Sequence, residues 1–209
     1  VIVYVATKNA GKFAELQAIF AQDHWELRPH PAYDDVAEGE GSYAENAALK
    51  ARALWQAIAR REPPAAVLGD DSGLEVAALG GRPGVRSARY GGPRATWAER
   101  RRSLLAELAA SGSGDRRARF VCALHFIAPD GAETAVEAAL EGFLADADRG
   151  SAGFSYDPIF VYPPLGATFG ELDDAAKNGV SHRALAARKL VTELGKQRQS
   201  ADFPAPAGN

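Results

Sequence analysis

The run VIVYVA, Val1 to Ala6, constrains the fold more than any other stretch. It is β-branched, aromatic and almost wholly apolar, so it reads as a strand buried on both faces. A small polar loop follows at once. Phe13, Leu16, Ile19 and Phe20 then recur at helical spacing. A buried strand joined to an amphipathic helix by a short turn implies a layered α/β structure.

The rest of the chain supports that reading. Ser42 and Glu45 form a capping box before a helix, and Thr96 and Glu99 repeat it before RRRSLLAELAA. AAVLGDDSG reads as a short strand ending in a loop that carries Asp70 and Asp71. RFVCALHFIA, PDG and ETAVEAALEGFLA read as strand, turn and strand. PIFVY is a short strand in a shaped loop, and a last helix is expected from about His182 to Leu194. Strands mixed with helices and one hairpin indicate a mixed sheet. A single domain over residues 1–195 is expected, with 196–209 as a mobile, Pro-rich tail. ARREPPAA, Ala59 to Ala66, reads as a surface loop. Arg100 to Arg102 read as a solvated helix face.

The turn after the first strand has the chemistry of an anion cradle. A helix N-terminus presents unpaired N–H groups and partial positive charge. Thr7 and Asn9 add donors, and Lys8 and Lys12 add charge. The string is not a P-loop, which needs a further Gly and a Lys-Ser/Thr pair. An ordinary turn capped by Asn9 is the competing reading. The formal charge of −3 over 209 residues makes a broad nucleic-acid surface unexpected, so an anion must be met by local cations. Cys122 is the only cysteine, which excludes an intrachain disulfide and makes a cytoplasmic setting the simplest expectation. No stretch approaches the ~20 apolar residues of a membrane span, and no leader peptide is visible.

Two further groups carry chemistry. In GDDSG, Asp70 and Asp71 would repel each other, and a Mg²⁺ ion could relieve that repulsion. The alternative is a turn closed by Gly73 with both carboxylates solvated. Glu38 and Glu40 precede the Ser42 cap, where they could instead complement the helix dipole. Asn46 and Lys50 share a helix face. In GFSYDPIF and KNGVSHRALA, Phe154 and Tyr156 can offer an aromatic face. Asp157, Lys177, Ser181, His182 and Arg183 crowd polar groups around a helix start. That combination suits a flat heterocycle with oxygen acceptors on its edge. Capping, surface pairing and plain core packing are the alternatives.

The strings TKNAGKFAEL, SYAENAALKARA, DDSGLEV with GRPGVRSARYGG, GFSYDPIF and KNGVSHRALA, in this order, resemble the inosine triphosphate pyrophosphatase family. Members hydrolyse non-standard purine nucleoside triphosphates. The resemblance covers Val1 to about Leu194. It implies a long curved mixed sheet flanked by helices in two lobes, with a central substrate cleft, and a homodimer. It assigns Thr7, Asn9 and Lys12 to the triphosphate, with Lys50 also on phosphate. Glu38 and Asp71 become the Mg²⁺ ligands, and Asp71, beside Asp70 and Lys50, the catalytic group. Phe154 would stack on the base. Asp157, Lys177, His182 and Arg183 would read or frame it, with Ser72, Tyr156 and Ser181 nearby. His182 would donate as a cation or as a donor tautomer. Two departures stand out: EGEGSYAEN leaves Glu40 as a substitute for Glu38, and Ser155 stands where Gly is common. A pyrophosphatase for modified pyrimidine nucleotides and a non-catalytic nucleotide sensor remain rival readings.

Overall fold

The computed structural model describes residues 1–60 and 63–201. Among the described residues seven strands form one sheet: β1 (Ile2–Ala6), β2 (Glu26–Pro29), β3 (Ala66–Val76), β4 (Arg117–Ile127), β5 (Glu133–Leu144), β6 (Phe160–Tyr162) and β7 (Ala167–Thr168). Their spatial order is β2-β1-β3-β4-β5-β6-β7. β2, β1 and β3 run parallel, and every pair from β3 onward is antiparallel. The sheet is therefore mixed, as expected.

Among the described residues there are five helices, α1 (Ala10–Phe20), α2 (Tyr43–Ala59), α3 (Trp97–Ala110), α4 (Asp174–Val180) and α5 (His182–Ala201), of which α4 packs on α1 and α5. Ser42 and Thr96 make both halves of their capping boxes. Asn9 caps α1, its Oδ1 accepting from Lys12 N at 3.0 Å. None of the described helices is long and apolar enough to cross a membrane.

The core divides along the sheet. One apolar cluster joins β1 to α1 and α5 through Val3, Leu16, Phe20, Leu68 and Leu190. A second gathers Leu74, Leu104, Phe120, Phe160 and Phe169 at the far end. The cleft described below lies where these two lobes meet.

Three expectations need correction. Asp70 and Asp71 do not sit in a loop beyond a strand; they lie inside the eleven-residue β3, with Asp71 opposite Ala123 of β4. The last helix does not stop near Leu194 but continues to Ala201, so the segment expected as a tail begins as helix. Arg100 is no solvated residue: it is 6% exposed, and its guanidinium donates to the Ala88 and Ala95 carbonyls. Residues 61 and 62 of ARREPPAA, and 202–209 of the tail, lie outside the described residues.

Candidate active site

Strand alternation builds the centre of the site. Successive β-residues point to opposite faces. Leu68 packs on the α1–α5 side, while Val67 joins Leu54 and Ile58 of α2 on the other. Asp70 therefore meets α1 and α5: Lys12 Nζ lies 2.8 Å from its Oδ1 and Arg183 Nε 3.8 Å from its Oδ2. Asp71 meets α2, where Asn46 Nδ2 donates to it at 3.0 Å and Lys50 Nζ lies 3.4 Å away. The two carboxylates do not share one face, although Lys12 Nζ reaches both, lying 3.8 Å from Asp71 Oδ1. Gly69 permits the close approach of α2, because a Cβ there would lie 2.1 Å from the Ala47 carbonyl oxygen.

Neither carboxylate is solvated: Asp70 is 1% exposed and Asp71 3%. Burial pushes Asp70 up, but Lys12 and Arg183 outweigh it and bring its pKa down to about 2. Burial also pushes Asp71 up, and there Lys12 and Lys50 do not fully offset it, so its pKa stays above the ordinary carboxylate value. The environments thus drive the neighbours apart, leaving one fixed anion and one carboxylate better suited to accept a proton.

Glu38 and Asp71 converge on one cation, with Lys50 Nζ 2.5 Å from Glu38 and 3.4 Å from Asp71. Glu40 points elsewhere, paired with Arg86 at an exposed site. Among the described residues no group of three or more His, Cys, Asp or Glu is gathered as a metal cage. A pair of converging carboxylates beside an open cleft fits Mg²⁺, which keeps waters and substrate phosphate oxygens in its shell.

Glu38, Asp71, Ser72, Phe154, His182 and Arg183 line one cleft together with Asn9 and Lys12. A second cavity shares Asn9, Lys12 and Glu38 with it and adds Thr7, Lys8, Lys50 and Arg89. One end is therefore aromatic and the other cationic. Thr7 Oγ1 accepts from Asn9 N at 3.1 Å, so the turn orders itself before any ligand arrives.

At the aromatic end the Phe154 ring lies against Gly11, where a Cβ would come within 3.0 Å of it. Lys177 Nζ sits 4.6 Å from the ring centre and the Arg183 guanidinium 5.3 Å. Asp157 lines the cleft, but its carboxylate is already engaged. Its Oδ2 accepts from Phe154 N and from Lys177 Nζ, both at 2.7 Å, and so fixes the loop. Ser181 is fully buried and donates to Glu15 at 2.7 Å. Tyr156 presents no aromatic face; it is 0% exposed, packs on Trp97, and donates to the Ser87 carbonyl at 2.9 Å. Arg183 Nη2 donates to Ser72 Oγ at 2.7 Å, and Ser72 lies in the cleft wall. His182 is not a cation: burial, helped by Arg183 and Lys177, pushes its pKa well below the ordinary value. Its ring stacks on Phe120 at 4.6 Å.

Ser155 adopts φ +62°, the left-handed region that favours Gly. Its carbonyl is held by Arg101 Nη1 at 2.7 Å, while the same guanidinium grips Asp148. Arg101 is thus tied into the loop and is not merely solvated.

Sequence reasoning missed the roles of two residues. Glu15 is a buried hub accepting from Ser181, Arg183 and Lys177. Asn46 holds Asp71 and also accepts from Gly39 N at 2.8 Å, tying the Glu38 loop to α2. Both lie within the matching strings, and a buried polar residue on an otherwise apolar helix face was the available signal.

Fold and site together define an α/β protein whose cleft sets an aromatic wall beside a cationic, carboxylate-bearing end. The profile of the Ham1 family matches residues 3–193, and the chain belongs to that family. A dITP/XTP pyrophosphatase of Geobacillus kaustophilus is 46% identical over 191 residues, spanning 90% of this chain and 91% of that protein. A dITP/XTP pyrophosphatase of Gloeobacter violaceus is also 46% identical, over 188 residues and the same shares of the two chains. The solved HAM1 protein of Coxiella burnetii superposes with a TM-score of 0.82 at 36% identity, covering 94% of this chain and 99% of its own. The resemblance read from the motifs is borne out.

Proposed function

We propose that the chain is a nucleoside triphosphate pyrophosphatase that hydrolyses non-standard purine nucleoside triphosphates, ITP, dITP and XTP, to the monophosphate and pyrophosphate. The observation that carries this reading is the division of one cleft. A Phe154 wall with Arg183 stands at one end, and Lys12, Lys50 and two differently poised aspartates stand at the other.

In this reading the purine stacks on Phe154 and its phosphates lie along Thr7, Asn9, Lys12 and Lys50. Asp71 takes a proton from the attacking water as the water oxygen bonds to phosphorus. The electron pair of the broken α–β bridge leaves with pyrophosphate. Asp70 stays ionised and fixes Lys12 beside the phosphates. Phosphoryl transfer needs such positioning and charge neutralisation more than covalent help. Glu38 and Asp71 would hold Mg²⁺, which when bound supplies charge neutralisation at the phosphates.

Selectivity follows from donors at the base end. Inosine and xanthosine carry oxygen at C6, where adenosine carries an amino group. A site built to donate to that oxygen leaves its donors unpaired against adenine. Arg183 is kept charged because Glu15 and Asp70 outweigh the effect of its burial. The same reading carries a cytoplasmic homodimer.

The test is a panel of ITP, dITP, XTP, ATP, dTTP and a modified UTP, with Mg²⁺ or with chelator, scored for pyrophosphate against phosphate. Pyrophosphate from the first three, lost with chelator, is the expected result. Preference for a pyrimidine, or tight XTP binding without turnover, would overturn it.

A further inference from the structure

The cationic cavity contains two basic residues that the proposed chemistry leaves unused, Lys8 and Arg89. The others are already engaged. Lys12 lies 2.8 Å from Asp70, and Lys50 lies 2.5 Å from Glu38 and 3.4 Å from Asp71. A triphosphate brings several further negative charges, and charge builds on the departing pyrophosphate as the bridge breaks. Besides a bound Mg²⁺, a cation not already neutralised by a carboxylate would help to meet it.

We propose that Arg89 contacts the terminal phosphates of the substrate and holds the departing pyrophosphate. This rests on the function proposed above and deepens it. Arg89 is loosely held: Nη2 lies 3.8 Å from the Glu38 carboxylate, and Nη1 donates to the Glu38 carbonyl at 3.4 Å. Its side chain is 44% exposed. So exposed and so long a pair contributes little, and turning the guanidinium to a phosphate costs little. Lys8 is looser still, 3.9 Å from a wholly exposed Asp34, but it lacks the planar fork that binds two phosphate oxygens at once. Asp35 shares the rim and opposes an anion, although the Tyr33 hydroxyl donates to it at 3.2 Å.

The backbone under Arg89 is firm. Arg89 N donates to Arg86 O at 2.8 Å, and Arg100 Nε donates to Ala88 O at 3.1 Å. Ser87 O accepts from Tyr156, and Ser87 Oγ accepts from Leu74 N of β3 at 2.9 Å. Buried Arg100 and Tyr156 thus pin a strap to the aromatic wall and to the strand that carries Asp71. The Arg89 side chain, by contrast, is held only by its loose contacts to Glu38. This gives the two residues that sequence reasoning misplaced a shared task.

The experiment compares the wild type with Arg89→Gln, Arg89→Lys and, as a control, Arg86→Gln, whose partner Glu40 is exposed. Binding of inorganic pyrophosphate and of XMP is measured by calorimetry with Mg²⁺, alongside kcat and KM for XTP. Arg89→Gln should weaken pyrophosphate binding about 10- to 100-fold, the worth of a charge-assisted hydrogen bond, and leave XMP within about twofold. Arg89→Lys should recover part of the loss, and Arg86→Gln should match the wild type. Unchanged pyrophosphate binding in Arg89→Gln, equal losses for both products, or a wild type that binds no pyrophosphate would each overturn the assignment. Failure of the proposed reaction reads out separately, as wild-type binding of both products without hydrolysis of XTP.

Discussion

Exchanging Asp70 for Asn should cost stability, whereas exchanging Asp71 for Asn should not. Asp70 has its pKa brought from 3.8 to about 2 in the folded chain. A group depressed in this way adds stability that is complete above its unfolded pKa and is lost as pH falls through the folded one. At about 1.4 kcal/mol per unit the contribution at pH 7 is about 2 kcal/mol. Asp70→Asn also strips Lys12 and Arg183 of a buried counter-ion, and breaking half of a buried pair costs ~3–5 kcal/mol. A loss of about 3 kcal/mol lowers Tm by roughly 6–12 °C in a chain of this size. Asp71 is the reverse case. Burial holds its pKa up, so at neutral pH its ionised form opposes folding, and Asp71→Asn should leave Tm unchanged or raise it. As the proposed proton acceptor, it should lose ~10²–10⁴ in kcat. Unfolding is followed by circular dichroism at pH 7 with chelator present, and turnover is measured separately with Mg²⁺. Equal Tm losses in the two variants, or an Asp70→Asn protein as stable as the wild type, would refute the division of roles.

Two further outcomes follow from the aromatic end. His182 is buried and neutral, with a folded pKa well below 6.5, so acidification protonates the unfolded chain preferentially. Stability present near pH 7 should be lost through this group as pH falls below 6.5, and the Tm difference between wild type and His182→Gln should narrow accordingly. A constant difference across that range would sink the assignment of a neutral ring. Gly11→Ala should keep or raise Tm, since Ala favours a helix over Gly by about 1 kcal/mol. Its Cβ would meet the Phe154 ring at 3.0 Å and displace it, so KM for XTP should rise about three- to tenfold, given how steeply reactivity depends on position. A matching loss of Tm would mean that the contact is only structural.

The layered α/β class, the capping boxes and the β4–β5 hairpin were legible because they rest on short-range rules. Cap chemistry spans three residues, and a hairpin needs one turn. Most cleft residues were legible for another reason: five short strings keep their order across the chain, and only a shared fold explains that. What the strings concealed was direction. Asp70 and Asp71 are adjacent in sequence, which suggested mutual repulsion and a loop. The pairing of β3 with β4 extends the strand through both of them.

Once the pair lies within a strand, alternation decides the chemistry. One carboxylate turns to Lys12 and the other to Asn46 and Lys50. Burial misled in the same way. Arg100 looks solvated in the sequence because it is charged, whereas Asp157 and Tyr156 line the cleft from behind and Ser181 lies beneath the start of α5. Each is buried with its polar atoms bonded inward. A buried polar group is tolerated only when it is partnered, and its partner often lies far along the chain, as Glu15 and Ser181 show at a separation of 166 residues. Composition cannot encode such a partnership. The shell behind the cleft is therefore the part of this protein that required the folded chain, and it is this shell that holds Phe154, Arg183 and the Arg89 strap in place.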